Sequence, residues 1–129
     1  MAGWEDVRRL ALALPETREG TSHGNTAWLV KDKLFVWERP LRKADLAALG
    51  AAAPDGPILG ARTEHLGAKE AYIQDDPGVF FTTPHFDGYA AVLVQLEKIG
   101  LDVLEEVIVE AWLARAPKRL VKEYLDRAG

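Results

Sequence analysis

Apolar residues recur at helical spacing in the opening segment, where Trp4, Val7, Leu10, Ala11 and Leu14 fall on one stripe. Pro15 disfavours helical geometry at Leu14 and carries no donor, so the pattern predicts that this helix stops there. A polar, glycine-bearing stretch over residues 16–25 follows and reads as an entry to a hairpin. Two β-rich runs, residues 26–30 and 34–38, flank the charged turn Lys31-Asp32-Lys33 and predict that hairpin. Residues 44–49 predict a short helix with Gly50 placed to cap it. Residues 58–62 read as a third strand, and Thr63 as the cap of a brief helix running to Gln74. Residues 79–83 and 90–96 read as two more strands joined by Pro84-His-Phe-Asp-Gly-Tyr89. The tail is helical, with Leu101, Leu104, Val107, Ile108, Ala111 and Trp112 on one stripe, and Pro117 divides it from a last helix over residues 118–127.

This order predicts an α+β fold: a mainly antiparallel sheet of about five strands with the N- and C-terminal helices packed on one face. The length of 129 residues suits one domain spanning 1–129, with no internal repeat and no linker. Trp28, Trp37 and Trp112 are expected as buried anchors.

Composition narrows the chemistry. There is no cysteine, which excludes disulfides, thiol nucleophiles and thiolate metal sites. The N-terminal Met-Ala-Gly-Trp-Glu-Asp is acidic where a secretory signal is basic, and no apolar run reaches ~18 residues. A cytoplasmic protein without membrane partners is expected. The net charge of −4 gives no global attraction to nucleic acid, so DNA binding would need a local basic patch.

Candidate sites are few. Ser22 lacks a Gly-x-Ser-x-Gly elbow, and Gly20-Thr-Ser-His-Gly24 lacks the Gly-Lys-Ser/Thr ending of a phosphate loop. His23, His65 and His85 show no metal-helix spacing, and neither metal nor cofactor is expected. The acids Asp75, Asp76, Asp102, Glu105, Glu106 and Glu110 read as a turn and a solvated helix face. In the 84–89 loop, His85, Asp87 and Tyr89 place imidazole, carboxylate and phenol within five residues. The plainer reading is an Asp87-Gly88 turn with packed aromatics. The alternative is a small-molecule pocket, or an enzyme site, built from His23, His85, Asp87 and Tyr89. The basic residues Arg115, Lys118, Arg119 and Lys122 would share a face if the helix ran through Pro117. Lys31 and Lys33 at the hairpin turn and Arg39, Arg42 and Lys43 after it complete a set that could neutralise phosphates.

The segments Leu10-Ala-Leu-Ala-Leu-Pro-Glu16, Ala27-Trp-Leu-Val-Lys-Asp-Lys-Leu-Phe-Val-Trp37, Val79-Phe-Phe-Thr-Thr-Pro-His-Phe-Asp-Gly-Tyr89 and Ala91-Val-Leu-Val94 together resemble the MmcQ/YjbR family of small bacterial proteins. The resemblance covers nearly the whole chain and is most specific at residues 80–89. It implies an antiparallel α+β fold of the double-wing or frataxin-like kind, and weak, non-specific DNA binding, since members are often labelled DNA-binding on that fold likeness. A non-enzymatic binding protein is the function expected.

Overall fold

The computed structural model describes residues 2–128. The N-terminal stripe forms α1 (Trp4–Leu12), started by Asp6, whose carboxylate accepts from the Gly3 amide at 2.9 Å. Three strands follow in meander: β1 (Thr17–Ser22), β2 (Asn25–Val30) and β3 (Lys33–Glu38). Each of the two connections has two residues at positive φ, His23 and Gly24 at 51° and 81°, then Lys31 and Asp32 at 48° and 68°. Both are therefore type I′ hairpin turns, whose twist matches that of the strands. Next come α2 (Lys43–Leu49), β4 (Ile58–Arg62), α3 (Leu66–Asp75), β5 (Phe80–Phe81), β6 (Ala91–Gln95), α4 (Leu101–Arg115) and α5 (Lys118–Ala128).

The strands form one sheet, β1-β2-β3-β4-β6-β5, with every neighbouring pair antiparallel. On one face α4 crosses β3 and β4 and α1 packs beside α4, so the two ends of the sequence meet there as expected. Leu104, Val107, Ile108, Ala111 and Trp112 are buried against Trp28, Val36, Leu59 and Val92. Leu101, which the stripe also included, is 45% exposed in the first turn of α4.

The sheet has six strands rather than five. The sixth is β1, whose Thr-Arg-Glu-Gly-Thr-Ser contains no large apolar residue. Its pairing with β2, through a turn that His23-Gly24 makes possible, supplies the order its own composition does not. The strand expected over 79–83 shrinks to Phe80–Phe81. The expected cap at Thr63 is replaced by His65, whose Nδ1 accepts from the Ala68 amide at 3.0 Å, while Thr63 Oγ1 donates to the His65 carbonyl at 3.2 Å. The tail breaks at Ala116, which is extended (ψ 148°), so Arg115 and the lysines of α5 belong to different helices. The continuous basic face that required a helix through Pro117 does not form.

Candidate functional site

The face of the sheet away from α4 carries a second apolar cluster of Ala27, Trp37, Ile58, Ala91 and Leu93, capped by Phe86. Period-two alternation places it there, since Trp37 follows Val36 and Leu93 lies between Val92 and Val94, which face the helices. Trp37 lies flat across Gly60 on the next strand. A Cβ at that position would sit 2.4 Å from Trp37 Cε2, so only glycine leaves the indole this seat.

The connection from β5 to β6 is drawn over this cluster and pinned by three cations. Lys69 of α3, only 5% exposed, donates through Nζ to the carbonyls of Phe86 and Tyr89 at 2.6 and 3.0 Å. Burial pushes its ammonium below the ordinary lysine value, and the nearby Asp87 carboxylate opposes that shift. Arg62 donates to the Ala90 carbonyl at 3.1 Å and to Tyr89 Oη at 2.9 Å, with its guanidinium 4.7 Å from the centre of the Tyr89 ring. Arg39 sits 5.2 Å from the Phe86 ring centre and pairs with Asp45 at 3.0 Å, both side chains being almost fully buried. Burial alone would raise the Asp45 carboxyl. The Arg42 amide at 2.8 Å and the Arg39 charge and hydrogen bond outweigh it and hold the group below the usual carboxylate value. The Thr83 hydroxyl, also buried, faces the same carboxylate without closing a hydrogen bond of good geometry.

Between this pinned segment and the β1–β2 turn lies a cavity of about 480 Å³, within the ~300–1,000 Å³ usual for small-ligand sites. Trp37, Phe86 and Leu34 form its apolar floor. Ser22, His23 and Asn25 line it from the turn, Glu38 and Arg42 from the end of β3 and the start of α2, and His85, Asp87 and Tyr89 from the pinned segment. His23 of the β1–β2 turn is thus brought to one cavity with His85, Asp87 and Tyr89 of the 84–89 segment.

Among the described residues, the side chains of His23, Glu38, Arg42, His85 and Asp87 make no hydrogen bond or ion pair. Outside the cavity some charges are matched, Arg8 with Glu19, Arg18 with Asp32, Lys31 with Glu16 and Arg119 with Glu123, while exposed lysines such as Lys33, Lys43, Lys118 and Lys122 make no ion pair among the described residues. The indole N–H of Trp37 likewise meets no acceptor, whereas those of Trp28 and Trp112 donate to Glu19 and to the Pro15 carbonyl at 3.2 and 3.0 Å.

The basic residues are not gathered in the same way. Arg39, counted with them from sequence, is 4% exposed and committed to Asp45, so it presents no charge to an external phosphate. Lys31 and Lys33 stand at one end of β3 and Arg42 and Lys43 beyond the other, about 20 Å of strand apart. Lys118, Arg119 and Lys122 are exposed on α5, while Arg115 ends α4 with its Nε buried and unpartnered. Asp76 Oδ1 accepts from the Gly78 amide at 3.2 Å, an ordinary turn contact. Among the described residues no three His, Cys, Asp or Glu side chains converge as a metal site would require, and no helix is long and apolar enough to cross a membrane.

Sequence reasoning missed Trp37 and Glu38 as cavity residues. Their signal was the placement of Glu38 directly after a β-branched and aromatic run, where a strand end turns a charged side chain toward its rim.

No family model matches the chain. Over its whole length it is 52% identical to the uncharacterized protein Rv2570 of Mycobacterium tuberculosis, and equally to the uncharacterized protein Mb2600 of Mycobacterium bovis, with 100% of each chain covered. The chain belongs to their family. Its fold is also similar to the crystal structure of Deinococcus radiodurans protein DR2400, a DUF419 domain, with a TM-score of 0.69 over 95% of this chain and 88% of that one. At 17% identity that likeness shows a shared fold alone.

Proposed function

We propose that this protein is a non-catalytic binding domain of the MmcQ/YjbR type whose ligand is a small molecule held in the cavity between the β1–β2 turn and the 84–89 segment. The observation that carries the reading is convergence: His23, Glu38, Arg42, His85 and Asp87, none of them in a side-chain hydrogen bond or ion pair, meet on one cavity with an aromatic floor. A ligand that enters displaces water from these groups and must replace it with matching hydrogen bonds and charges, which gives a pocket its specificity.

Catalysis has less support. Ser22, His85 and Asp87 all line the cavity, yet no hydrogen bond links hydroxyl to imidazole or imidazole to carboxylate. A proton relay needs both links. DNA binding through phosphates, which the resemblance implies, would rest on Lys31, Lys33, Arg42, Lys43, Lys118 and Lys122. These fall on three separate elements, the β2–β3 turn, the start of α2 and α5, of a protein with net charge −4.

The test is an NMR screen of a small-metabolite library, with a short DNA duplex as the contrasting arm. Expected are shifts of the Trp37 indole N–H and the His85 imidazole on adding a metabolite. Shifts confined to α5 on adding DNA, and lost at high salt, would move the binding surface to Lys118 and Lys122 and sink the proposal.

A further inference from the structure

We infer that the cavity selects a zwitterion with a flat ring, of the chemical class of a free aromatic α-amino acid. This inference rests on the reading of the cavity as a ligand site. Three features of the lining each ask for one part of such a molecule. Trp37, Phe86 and Tyr89 lie with neighbouring ring centres 6.5 and 6.1 Å apart and tilted by about 40°. These rings pack on one another, and a planar ring laid against the edge they present to the cavity gains offset or edge contacts worth ~0.5–1.5 kcal/mol beyond its buried area.

The second feature is a pair of free acids. Glu38 and Asp87 line the cavity with no cation within ion-pair distance; the Lys69 ammonium acts on Asp87 from farther off and gives its hydrogen bonds to two carbonyls, so an ammonium group on the ligand answers both acids. The third is Arg42. The other cations around the site are already met: Arg39 by Asp45, Lys69 by two carbonyls, and Arg62 by a carbonyl and the Tyr89 hydroxyl. Among the described residues Arg42 is the cation lining the cavity that has no partner, and its planar fork suits a carboxylate.

Both signs are therefore left open in one cavity without pairing with each other. A ligand of single charge would satisfy one sign and leave the other unanswered. A doubly charged anion such as a nucleotide would set its phosphate against two free carboxylates.

The experiment compares three probes on the intact protein at pH 8, above the usual imidazole range. They are L-phenylalanine, phenethylamine, which lacks the carboxylate, and 3-phenylpropionate, which lacks the ammonium. Binding is read from the Trp37 indole N–H, assigned with the Trp37→Phe variant. L-phenylalanine is expected to bind at least tenfold more tightly than either half-probe. Arg42→Gln should erase its advantage over phenethylamine, and Glu38→Gln with Asp87→Asn its advantage over 3-phenylpropionate. All three positions are partly or fully exposed, so these variants should fold, and the amide spectrum checks that they do.

If a half-probe binds as tightly as the whole, at the same resonances, the ligand class is wrong while the cavity remains a site. If none of the three shifts cavity resonances and the metabolite screen is also silent, the reading of the cavity itself falls.

Discussion

Asp45 shows how much a single buried charge can govern here. Its carboxylate is held low by the Arg42 amide and the Arg39 guanidinium against the opposing effect of burial, so the native state binds its proton less readily than the unfolded chain does. The stability it contributes is therefore full above its ordinary value of 3.8 and is lost as pH falls through the lowered native value. Asp45→Ala should cost about 3–5 kcal/mol at pH 7, because it leaves the Arg39 charge buried and unmatched. Urea unfolding should show the gap between the native protein and Asp45→Asn narrowing from pH 7 to pH 3. A gap independent of pH would mean the pair is not ionised in the fold. This arrangement was not legible in the sequence. Arg39 lies among other basic residues after a hairpin, and its burial depends on Asp45 in the next helix and on Phe86, far along the chain. His85, Asp87 and Tyr89 were legible together because they occupy one short segment. His23 was named from a glycine-bearing stretch read as an entry to the hairpin, which the structure makes a tight turn between β1 and β2.

At the scale of elements, the periodic segments read well and the strand without a pattern did not. The stripe of α4 and the alternation of β2 and β3 follow from burial on one side, which hydrophobic spacing records directly. Order in β1 comes from its partner strand, which leaves no mark in its own composition. The sole local trace was the His23-Gly24 pair, two residues able to hold positive φ. The second hairpin turn has no glycine. Lys31 and Asp32 both sit in the left-handed region, where a non-glycine residue costs ~1–2 kcal/mol. Lys31→Asn with Asp32→Gly removes most of that cost. It also removes the Lys31–Glu16 and Arg18–Asp32 pairs, which are exposed and worth ~0–1 kcal/mol each. The turn term is the larger, so the double variant should be more stable by about 1 kcal/mol. Thermal unfolding should then show Tm rising by about 3–5 °C. A fall in Tm would show that the surface pairs outweigh the backbone strain.

For the whole molecule, the α+β class and the meeting of α1 and the C-terminal helix α4 on one face were legible, because both follow from which faces are apolar. The insertion of β6 between β4 and β5 was not, since either strand could have joined the sheet beside β4 on pattern alone. Trp112 ties the two ends of the chain together by its packing and by its N–H to the Pro15 carbonyl. Trp112→Ala should cost about 3–5 kcal/mol in chemical denaturation. Trp112→Phe should cost less, because it keeps most of the ring contacts and loses the hydrogen bond. A loss below about 1 kcal/mol for the alanine variant would contradict the packing described. The sheet's two outer strands bear on a different property. β5 spans two residues, and β1 exposes Arg18 and Glu19 along a polar backbone. Neither border gives an incoming chain a long, flat, apolar row of amides to pair with. Growth into cross-β fibres by edge pairing of native molecules is thereby disfavoured at both sides of the sheet.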